Sequence, residues 1–266
     1  MTVKTCIMTL SRCYREAGSD PKVGIIVHST GCNNTSLKRY IQPTEGSPDY
    51  DTVIKDIGKN YNRNDWNHSD VAKGVHAFIG KSKSGAVECY QVLPYLKDAW
   101  GVAAGAEGSV NYGEHACIQF EVCEDNLKSK DYFNKAIGLA VSYCALLCSE
   151  YNFSVDSIWS HKEAIAKGYG SGSRVDIDYW LGKYGHDMDW FRGMVKAEME
   201  RDTLAVGDMC MLKKDATVWN KTRKFSSWVY TTVLYVTKIS GDRVWFSISS
   251  YGPTTGTTDR KYIIKL

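Results

Sequence analysis

The sequence predicts an α/β domain, a mixed β-sheet flanked by helices, followed by a small C-terminal β-barrel. The apolar run 23–27 is typical of a strand that is buried on both faces. Between residues 131 and 148, apolar side chains recur at helical spacing. Beyond the charged run 196–202, helical periodicity gives way to short β-branched and aromatic segments, which are typical of a small barrel.

The elements of the first domain follow from local patterns along the chain. Strands are expected where apolar or alternating runs are bounded by turn residues. Residues 42–70 are rich in Asn, Asp, Gly and Pro and predict a long irregular loop of the kind that lines sites. In chain order the predicted elements are a strand at 23–27, a hairpin at 75–93, a strand at 116–123, a helix from 131, a short strand at 157–160, a helix-like segment at 162–167 and a helix at about 189–200.

The C-terminal segment predicts five short strands in about sixty residues, a density that favours a small barrel. These strands are expected at 209–212, 217–219, 229–237, 243–248 and 262–264. The charged run before them indicates the boundary, so we predict two domains, 1–200 and 203–266.

Composition indicates a globular protein folded in a reducing compartment. The nine cysteines are odd in number and several lie in apolar segments, where Cys acts as a small hydrophobe rather than as part of a disulfide framework. Cys144 and Cys148 lie one helical turn apart, which favours core packing over metal binding. The apolar run at the start is too short for a signal peptide and no segment reaches transmembrane length, so we expect no membrane insertion.

Charge is distributed unevenly along the chain. The whole protein has a formal net charge of +3, yet residues 203–266 hold ten Lys and Arg against four Asp, a net charge of +6. Such a field favours an anionic partner, either a nucleic acid or an acidic polymer. The chain lacks a basic recognition helix or other nucleic-acid motif, so we expect no nucleic-acid partner.

Two histidines follow predicted strands and define the candidate site. His28 follows the strand 23–27, and His161 follows the strand 157–160. A Gly-rich turn at 168–172 then leads to Asp176. Two imidazoles and a carboxylate are the ligand set of a hydrolytic zinc site with an open fourth position. Spacing alone leaves Asp178 and His186 open as alternatives for the third ligand.

With these residues in place, the first 200 residues resemble the type 2 N-acetylmuramoyl-L-alanine amidases, a zinc amidase family that includes phage lysins. The motifs that carry the resemblance, in family order, are His28 within Gly-Ile-Ile-Val-His-Ser-Thr-Gly, the hairpin 75–80, the strand 118–121, the segment 160–163 and the closing segment 176–192, which looks most like endolysins of clostridial-type phages. The tail resembles a bacterial SH3-type cell-wall binding module through 206–208, Trp219, 227–230 and 234–236.

The resemblance implies roles for individual residues. It makes His28, His161 and Asp176 the zinc ligands and Glu121 the catalytic carboxylate, which interrupts an otherwise apolar strand. Arg174 stands where the family often has Lys, and we expect it to stabilise the oxyanion by charge, since a guanidinium does not donate its proton.

Two further histidines are candidate substrate contacts. His76, in the predicted hairpin, and His115, just before the strand 116–123, are placed in this role. For His76, support of the site or simple core packing is the alternative. Many relatives carry Tyr just before the hairpin histidine, where this chain has Val75, so the hydroxyl of that Tyr is missing here or comes from elsewhere.

The resemblance implies a peptidoglycan hydrolase that cleaves the amide between N-acetylmuramic acid and L-alanine with zinc-activated water. Its partners would be peptidoglycan and, through the basic tail, anionic wall polymers. We expect a phage endolysin that is made in the host cytoplasm and reaches the wall after release, with a bacterial autolysin as the alternative. A peptidoglycan-binding protein of the same fold without catalysis is the rival from another class.

Overall fold

A computed structural model describes residues 1–202 and 204–266, and within them the chain forms two compact units, Met1–Glu198 and Met199–Leu266. Residue 203, where the predicted second domain starts, lies outside the described residues. Among the helices of the described ranges, none is both long enough and apolar enough to cross a membrane.

The first unit is built on a mixed six-stranded sheet. In chain order its strands are β1 (Lys4–Thr5), β2 (Gly24–Asn33), β3 (Ala77–Lys81), β4 (Val87–Gln91), β5 (Cys117–Glu124) and β6 (Ile158–Ser160). They lie in the order β1-β4-β3-β5-β2-β6, with β3, β5, β2 and β6 mutually parallel and the β3–β4 hairpin antiparallel. The predicted α/β class with a mixed sheet is therefore confirmed.

The central strand β2 explains the apolar run that predicted it. Ile25, Ile26 and Val27 have no exposed surface, because β5 and β6 flank the strand in the sheet and both of its faces are covered. The predicted strand ended on His28, whereas the observed strand continues to Asn33. His28 therefore lies inside the strand, in register with Glu121 of β5. The polar residues after it keep pairing with β5, which a pattern of apolar residues could not show.

Within the described residues the chain forms six α-helices: α1 (Arg12–Glu16), α2 (Tyr50–Ile57), α3 (Lys130–Tyr151), α4 (His161–Ala166), α5 (Asp176–Lys183) and α6 (Met188–Asp202). The predicted helix from 131 is confirmed as α3, in which Cys144 and Cys148 are buried free thiols of the core. Helix α2 was wrongly predicted as part of an irregular loop; it spans eight residues and buries only Val53 and Ile57.

The second unit contains a small five-stranded antiparallel sheet. Its strands are β7 (Met209–Leu212), β8 (Leu234–Ser240), β9 (Arg243–Ser247), β10 (Gly256–Asp259) and β11 (Ile263–Lys265), in the order β10-β9-β8-β7-β11. The predicted strand 217–219 is wrong, because Thr217 makes only an isolated bridge to Lys224. Strand β10 was missed, since its sequence Gly-Thr-Thr-Asp lacks large apolar residues. The apolar core includes Leu212, Leu234 and Phe246.

Candidate metal centre and active site

Three separate elements bring His28, His161 and Asp176 together. His28 projects from β2, His161 is the first residue of α4 and Asp176 the first of α5. Nδ1 of His161 lies 2.8 Å from Oδ2 of Asp176, and Nδ1 of His28 lies 3.2 Å from the same oxygen. One candidate ligand atom from each residue lies within 4.8 Å of the other two. The structure thus assembles the three residues that the sequence proposed as ligands.

Local capping holds His161 at the start of its helix. The hydroxyl of Ser160 accepts a hydrogen bond from the backbone N–H of Glu163, whose carboxylate accepts one from the N–H of Ser160. Arg192 of α6 donates to the same Glu163 carboxylate. Because strand β6 ends at Ser160, this capping box fixes the point at which His161 leaves the sheet.

Asp176 has an uncommon backbone conformation, with φ of +22°. Non-glycine residues with positive φ are uncommon, and such strain usually persists where the surrounding structure demands it. Here the imidazoles of His161 and His28 hold the side chain, and Nδ1 of His161 donates to it. Burial acts to raise the pKa of Asp176, but the two adjacent imidazoles outweigh it and hold the pKa well below its usual range.

The donor set fits a metal cation. Nε2 of His28 lies 3.2 Å from the side-chain oxygen of Gln119, which can only accept, so Nε2 carries a proton. Burial lowers the pKa of His28, so the ring is neutral at pH 7 and Nδ1 presents a lone pair to the carboxylate oxygen of Asp176. Two acceptors face one another at this point, an arrangement that a cation between them stabilises. Neutral imidazole and carboxylate are ordinary zinc ligands.

Glu121 stands beside this cluster on β5. It is in register with His28 on β2 and with Phe78 on β3. Its Oε2 atom is buried, and among the described residues it has no hydrogen-bond partner. Burial, reinforced by the negative charge of Asp176, raises the pKa of Glu121 well above its ordinary value of 4.5. An unpartnered carboxylate with a raised pKa is suited to accepting and returning a proton.

The cluster opens into a cavity of about 180 Å³. Its lining consists of His28, Ser29, Thr30, Gly31, Trp66, Lys73, Trp100, Gly101, Glu121, His161, Arg174 and Asp176. Arg174, whose side chain is exposed, is thus among the residues that line the cavity. The cavity combines a metal-ligand cluster, a carboxylate, two cations and two indole rings.

Sequence reasoning missed Lys73 and the two tryptophans. The ammonium of Lys73 lies 4.2 Å from the centre of the Trp66 ring, a cation–π contact. Burial lowers the pKa of Lys73, and the charge of Glu121 opposes this. Trp66 lies in the segment predicted to line a site, but nothing in the local pattern distinguished it. Lys73 lines the cavity from the segment that precedes β3, a placement that the local sequence does not indicate.

His76 and His115 are not brought to the cavity. His76 has no exposed surface, and its ring accepts from the N–H of Gln119 and donates to the carbonyl of Lys97. The prediction that it contacts substrate is corrected, since both ring nitrogens are occupied by backbone groups. His115 stacks on Tyr169 with ring centres 4.0 Å apart, away from the cavity lining.

The alternative third ligands also lie elsewhere. Asp178 lines a separate cavity together with Glu163 and Arg192. The ring of His186 stacks on Trp190, with centres 3.8 Å apart. Within the described residues, Asp176 is the carboxylate that meets both His28 and His161.

Comparison with known proteins gives three kinds of match. The sequence profile of the N-acetylmuramoyl-L-alanine amidase family matches residues 18–176. Protein Ami of Listeria monocytogenes serotype 1/2a (strain EGD / Mackaness) is 24% identical over 282 aligned residues, which cover 93% of this chain and 26% of that protein. The chain therefore spans about a quarter of the length of the curated relative it matches.

Two solved structures match about three quarters of the chain. The hydrolase AmiA of Staphylococcus aureus, in complex with its ligand, has a TM-score of 0.48 and 18% identity over 75% of this chain and 83% of that chain. A mutant endolysin from Bacillus subtilis has a TM-score of 0.47 and 20% identity over 73% of this chain and 99% of that chain. The family profile covers His28, Glu121, His161 and Asp176.

Proposed function

The chain belongs to the N-acetylmuramoyl-L-alanine amidase family, and we propose that it is a zinc-dependent hydrolase of the amide between N-acetylmuramic acid and L-alanine in peptidoglycan. One observation carries this proposal. His28, His161 and Asp176 converge at one end of a cavity, beside a carboxylate that has no partner of its own among the described residues.

His28, His161 and Asp176 would hold the zinc ion. Three protein ligands leave a fourth position open, as in other catalytic zinc sites. When bound, zinc supplies Lewis acidity, which brings the pKa of water to about 7 and polarises a carbonyl. The opening of the cluster into the cavity supports access for an amide substrate.

Glu121 is the proton carrier of the proposed reaction. Its carboxylate accepts a proton from the attacking water and returns it to the nitrogen of the leaving L-alanine. Both transfers need a carboxylate whose pKa lies closer to neutral pH than usual, and burial of Glu121 provides this. A hydrogen-bonded or ion-paired glutamate would be a weaker base, so the free Oε2 atom also supports this role.

Arg174 and Lys73 provide positive charge on the same cavity. Attack on an amide carbonyl develops negative charge on its oxygen, and preorganised cations stabilise that charge. Arg174 stays protonated at any working pH, so it acts through charge and hydrogen bonds. Lys73 adds a second cation, whose ammonium lies over the ring of Trp66.

For the unit Met199–Leu266 we propose cell-wall binding by an SH3-type module. Its net positive charge and a cavity of about 340 Å³ support this role. Trp219, Lys221, Lys261 and Tyr262 are among the residues that line this cavity. Tyr230 does not serve this role, because its hydroxyl is used inside the unit. It donates to the carbonyl of Ala216 and accepts from the N–H of Phe225.

The proposed biology is lysis of a bacterial wall by a phage endolysin of clostridial type that reaches the wall after synthesis in the host cytoplasm. A bacterial autolysin would use the same chemistry. Adding the purified protein to intact cells from outside, and expressing it inside cells with and without a membrane-permeabilising protein, separates the two. An endolysin should lyse from inside only when the membrane is permeabilised.

Digestion of purified peptidoglycan tests the enzyme. We expect new α-amino groups on L-alanine without new reducing sugar ends, and treatment with a chelator should abolish their release until zinc is restored. Reducing ends would identify a glycosidase instead. Wall binding with no new amino groups would identify the rival, a binding protein without catalysis.

A further inference from the structure

We propose that Gln119 is a positioning residue that fixes the tautomer of His28, holding the proton on Nε2 and leaving the Nδ1 lone pair for the metal. The proposal rests on the metal site of the proposed function. It follows from a chain of hydrogen bonds in which each group decides the orientation of the next, beginning at a backbone whose donors and acceptors are unambiguous.

The series of hydrogen bonds begins at Val102. Its carbonyl accepts from Nδ2 of Asn111 at 2.6 Å, and its N–H donates to Oδ1 of Asn111 at 3.2 Å. A backbone N–H can only donate and a carbonyl can only accept. This pair of bonds therefore fixes which end of the Asn111 amide is oxygen and which is nitrogen.

Asn111 in turn orients Gln119. Nε2 of Gln119 donates to Oδ1 of Asn111 at 2.9 Å and to the carbonyl of Val110 at 3.1 Å. Both amide hydrogens are used, so Oε1 is the end of the side chain that faces His28. The backbone N–H of Gln119 is also held, by Nδ1 of His76 at 2.9 Å. The structural role of His76 is thus to anchor the residue that orients a ligand.

Gln119 then orients His28. Oε1 of Gln119 lies 3.2 Å from Nε2 of His28 and can only accept, so Nε2 must donate. Gln119 has no exposed surface and His28 is 1% exposed, so water does not compete for this bond. In a neutral ring the second nitrogen is then unprotonated, and that nitrogen, Nδ1, faces Asp176 at 3.2 Å.

Gly101 provides the space for this contact. A Cβ atom at residue 101 would lie 2.3 Å from Oε1 of Gln119 and 3.2 Å from Nε2 of His28. Any side chain here would displace the hydrogen bond. The loop that carries Gly101 and Val102 therefore both orients the amide network and leaves room for it.

Nitrogen NMR of the unmodified full-length protein tests the tautomer directly. With ¹⁵N-labelled histidine, and the His28 signals assigned by their loss in His28→Ala, we expect the ring proton on Nε2 both in the chelated protein and after addition of Zn²⁺. On zinc binding, the Nδ1 resonance should shift. A proton on Nδ1 in the chelated protein would overturn the proposal, whatever the activity of the enzyme.

Zinc affinity provides the second test. Gln119→Met keeps the length of the side chain but removes its hydrogen bonds, and loss of such a partner typically weakens metal binding by ~10–100-fold. Asn111→Leu removes the acceptor that holds Nε2 of Gln119 and leaves Gln119 and His28 in place, so it should shift affinity in the same direction. Affinity is measured by competition between the protein and a chelator for Zn²⁺.

A matched substitution on β4, which does not pair with β5, is the control. Gln91 lies on β4 and donates to the carbonyl of Leu93, outside the site, so Gln91→Met should leave zinc affinity unchanged. Wild-type affinity in a folded Gln119→Met protein would overturn the proposal. If that variant does not fold, the NMR measurement on the unmodified protein decides. A wild-type protein that binds no zinc and releases no amino groups would instead refute the proposed function, while the tautomer could still be measured.

Discussion

The two units of the chain place their polar groups in opposite ways. In Met1–Glu198, His28 and the Oε2 atom of Glu121 are buried beside a cavity, and burial shifts their pKa values. In Met199–Leu266 the core is apolar, and its fully buried polar residues, Ser247 and Thr258, are uncharged and donate to backbone carbonyls. Lysines such as Lys221 and Lys261 are exposed there.

This difference in the burial of polar groups indicates which function each unit is suited to. Proton transfer and metal binding need groups removed from water, where a charge or a lone pair interacts strongly. Attraction to a charged polymer needs many solvated charges, each of which contributes little and is screened by salt. Substitutions in the first unit should therefore change bond cleavage, and changes in the second should alter wall binding and its salt dependence.

The largest expected effect is the loss of a ligand. His161→Ala should abolish both stoichiometric zinc, measured by elemental analysis, and the release of amino groups from peptidoglycan, because two protein ligands do not make a stable zinc site. His186→Ala is the matched control, since His186 was the rival candidate and lies outside the cluster. Retention of zinc and activity in His161→Ala would mean that the ligand assignment is wrong.

Removing the base should be the next largest effect. Glu121→Gln keeps the shape of the side chain but cannot accept a proton, and loss of a general base typically costs ~10²–10⁴-fold in rate. Zinc content should be unchanged. Glu88→Gln is the control, because Glu88 is a strand glutamate that pairs with Lys4 outside the cavity. Near-normal turnover in Glu121→Gln would assign the proton transfer to another group.

The cations of the cavity should contribute less. Arg174→Ala should lower kcat by ~10²–10³-fold if its guanidinium stabilises the oxyanion, and Arg174→Lys should lose less because the charge is retained. Arg15→Ala, which removes an exposed arginine of α1, should have no effect. Equal losses in the two Arg174 variants would show that the geometry of the guanidinium, and not its charge, is what the reaction uses.

Removing the second unit should spare the chemistry and weaken the binding. A 1–198 fragment should still cleave soluble muropeptides but lyse intact cells poorly, and a 199–266 fragment should sediment with host-type walls. If attraction to anionic polymers dominates, sedimentation should fall steeply above about 0.15 M salt, where screening acts within ~8 Å. Binding that is insensitive to salt would favour an aromatic-lined pocket, and no binding at any salt would refute the targeting role.

The smallest expected effect is on stability. In protein that a chelator has freed of metal, the pKa of Glu121 is raised, so its carboxylate binds a proton more tightly in the folded state than in the unfolded chain. In the unfolded chain the pKa of this carboxyl is about 4.5. That contribution is fully present below about pH 4.5 and is lost as pH rises through the folded-state pKa. Urea unfolding at several pH values should therefore show wild type losing stability relative to Glu121→Gln as pH rises. A constant difference across this range would contradict the burial of this carboxylate.

Patterns of apolar residues were enough to predict most of the first sheet and the long helix α3. They failed for α2, which buries only Val53 and Ile57, and for the continuation of β2 past His28, where the residues are mostly small and polar. In β2 the pairing partner comes from a distant part of the chain, since Glu124 of β5 is in register with Asn33.

By itself, the sequence determined the candidates His28, His161 and Asp176, with Asp178 and His186 still open, and the change in residue pattern and charge near residue 200. These follow from residue types and local periodicity, whereas the role of the carboxylate Glu121 was implied by the family resemblance. Only the tertiary structure decided that Asp176, and not Asp178 or His186, meets both histidines, that His76 is internal, and that Lys73 and Trp66 reach the cavity. The orientation of His28 by Gln119 also belongs to the tertiary structure, because a hydrogen bond between residues 91 positions apart depends on strand pairing and not on local sequence.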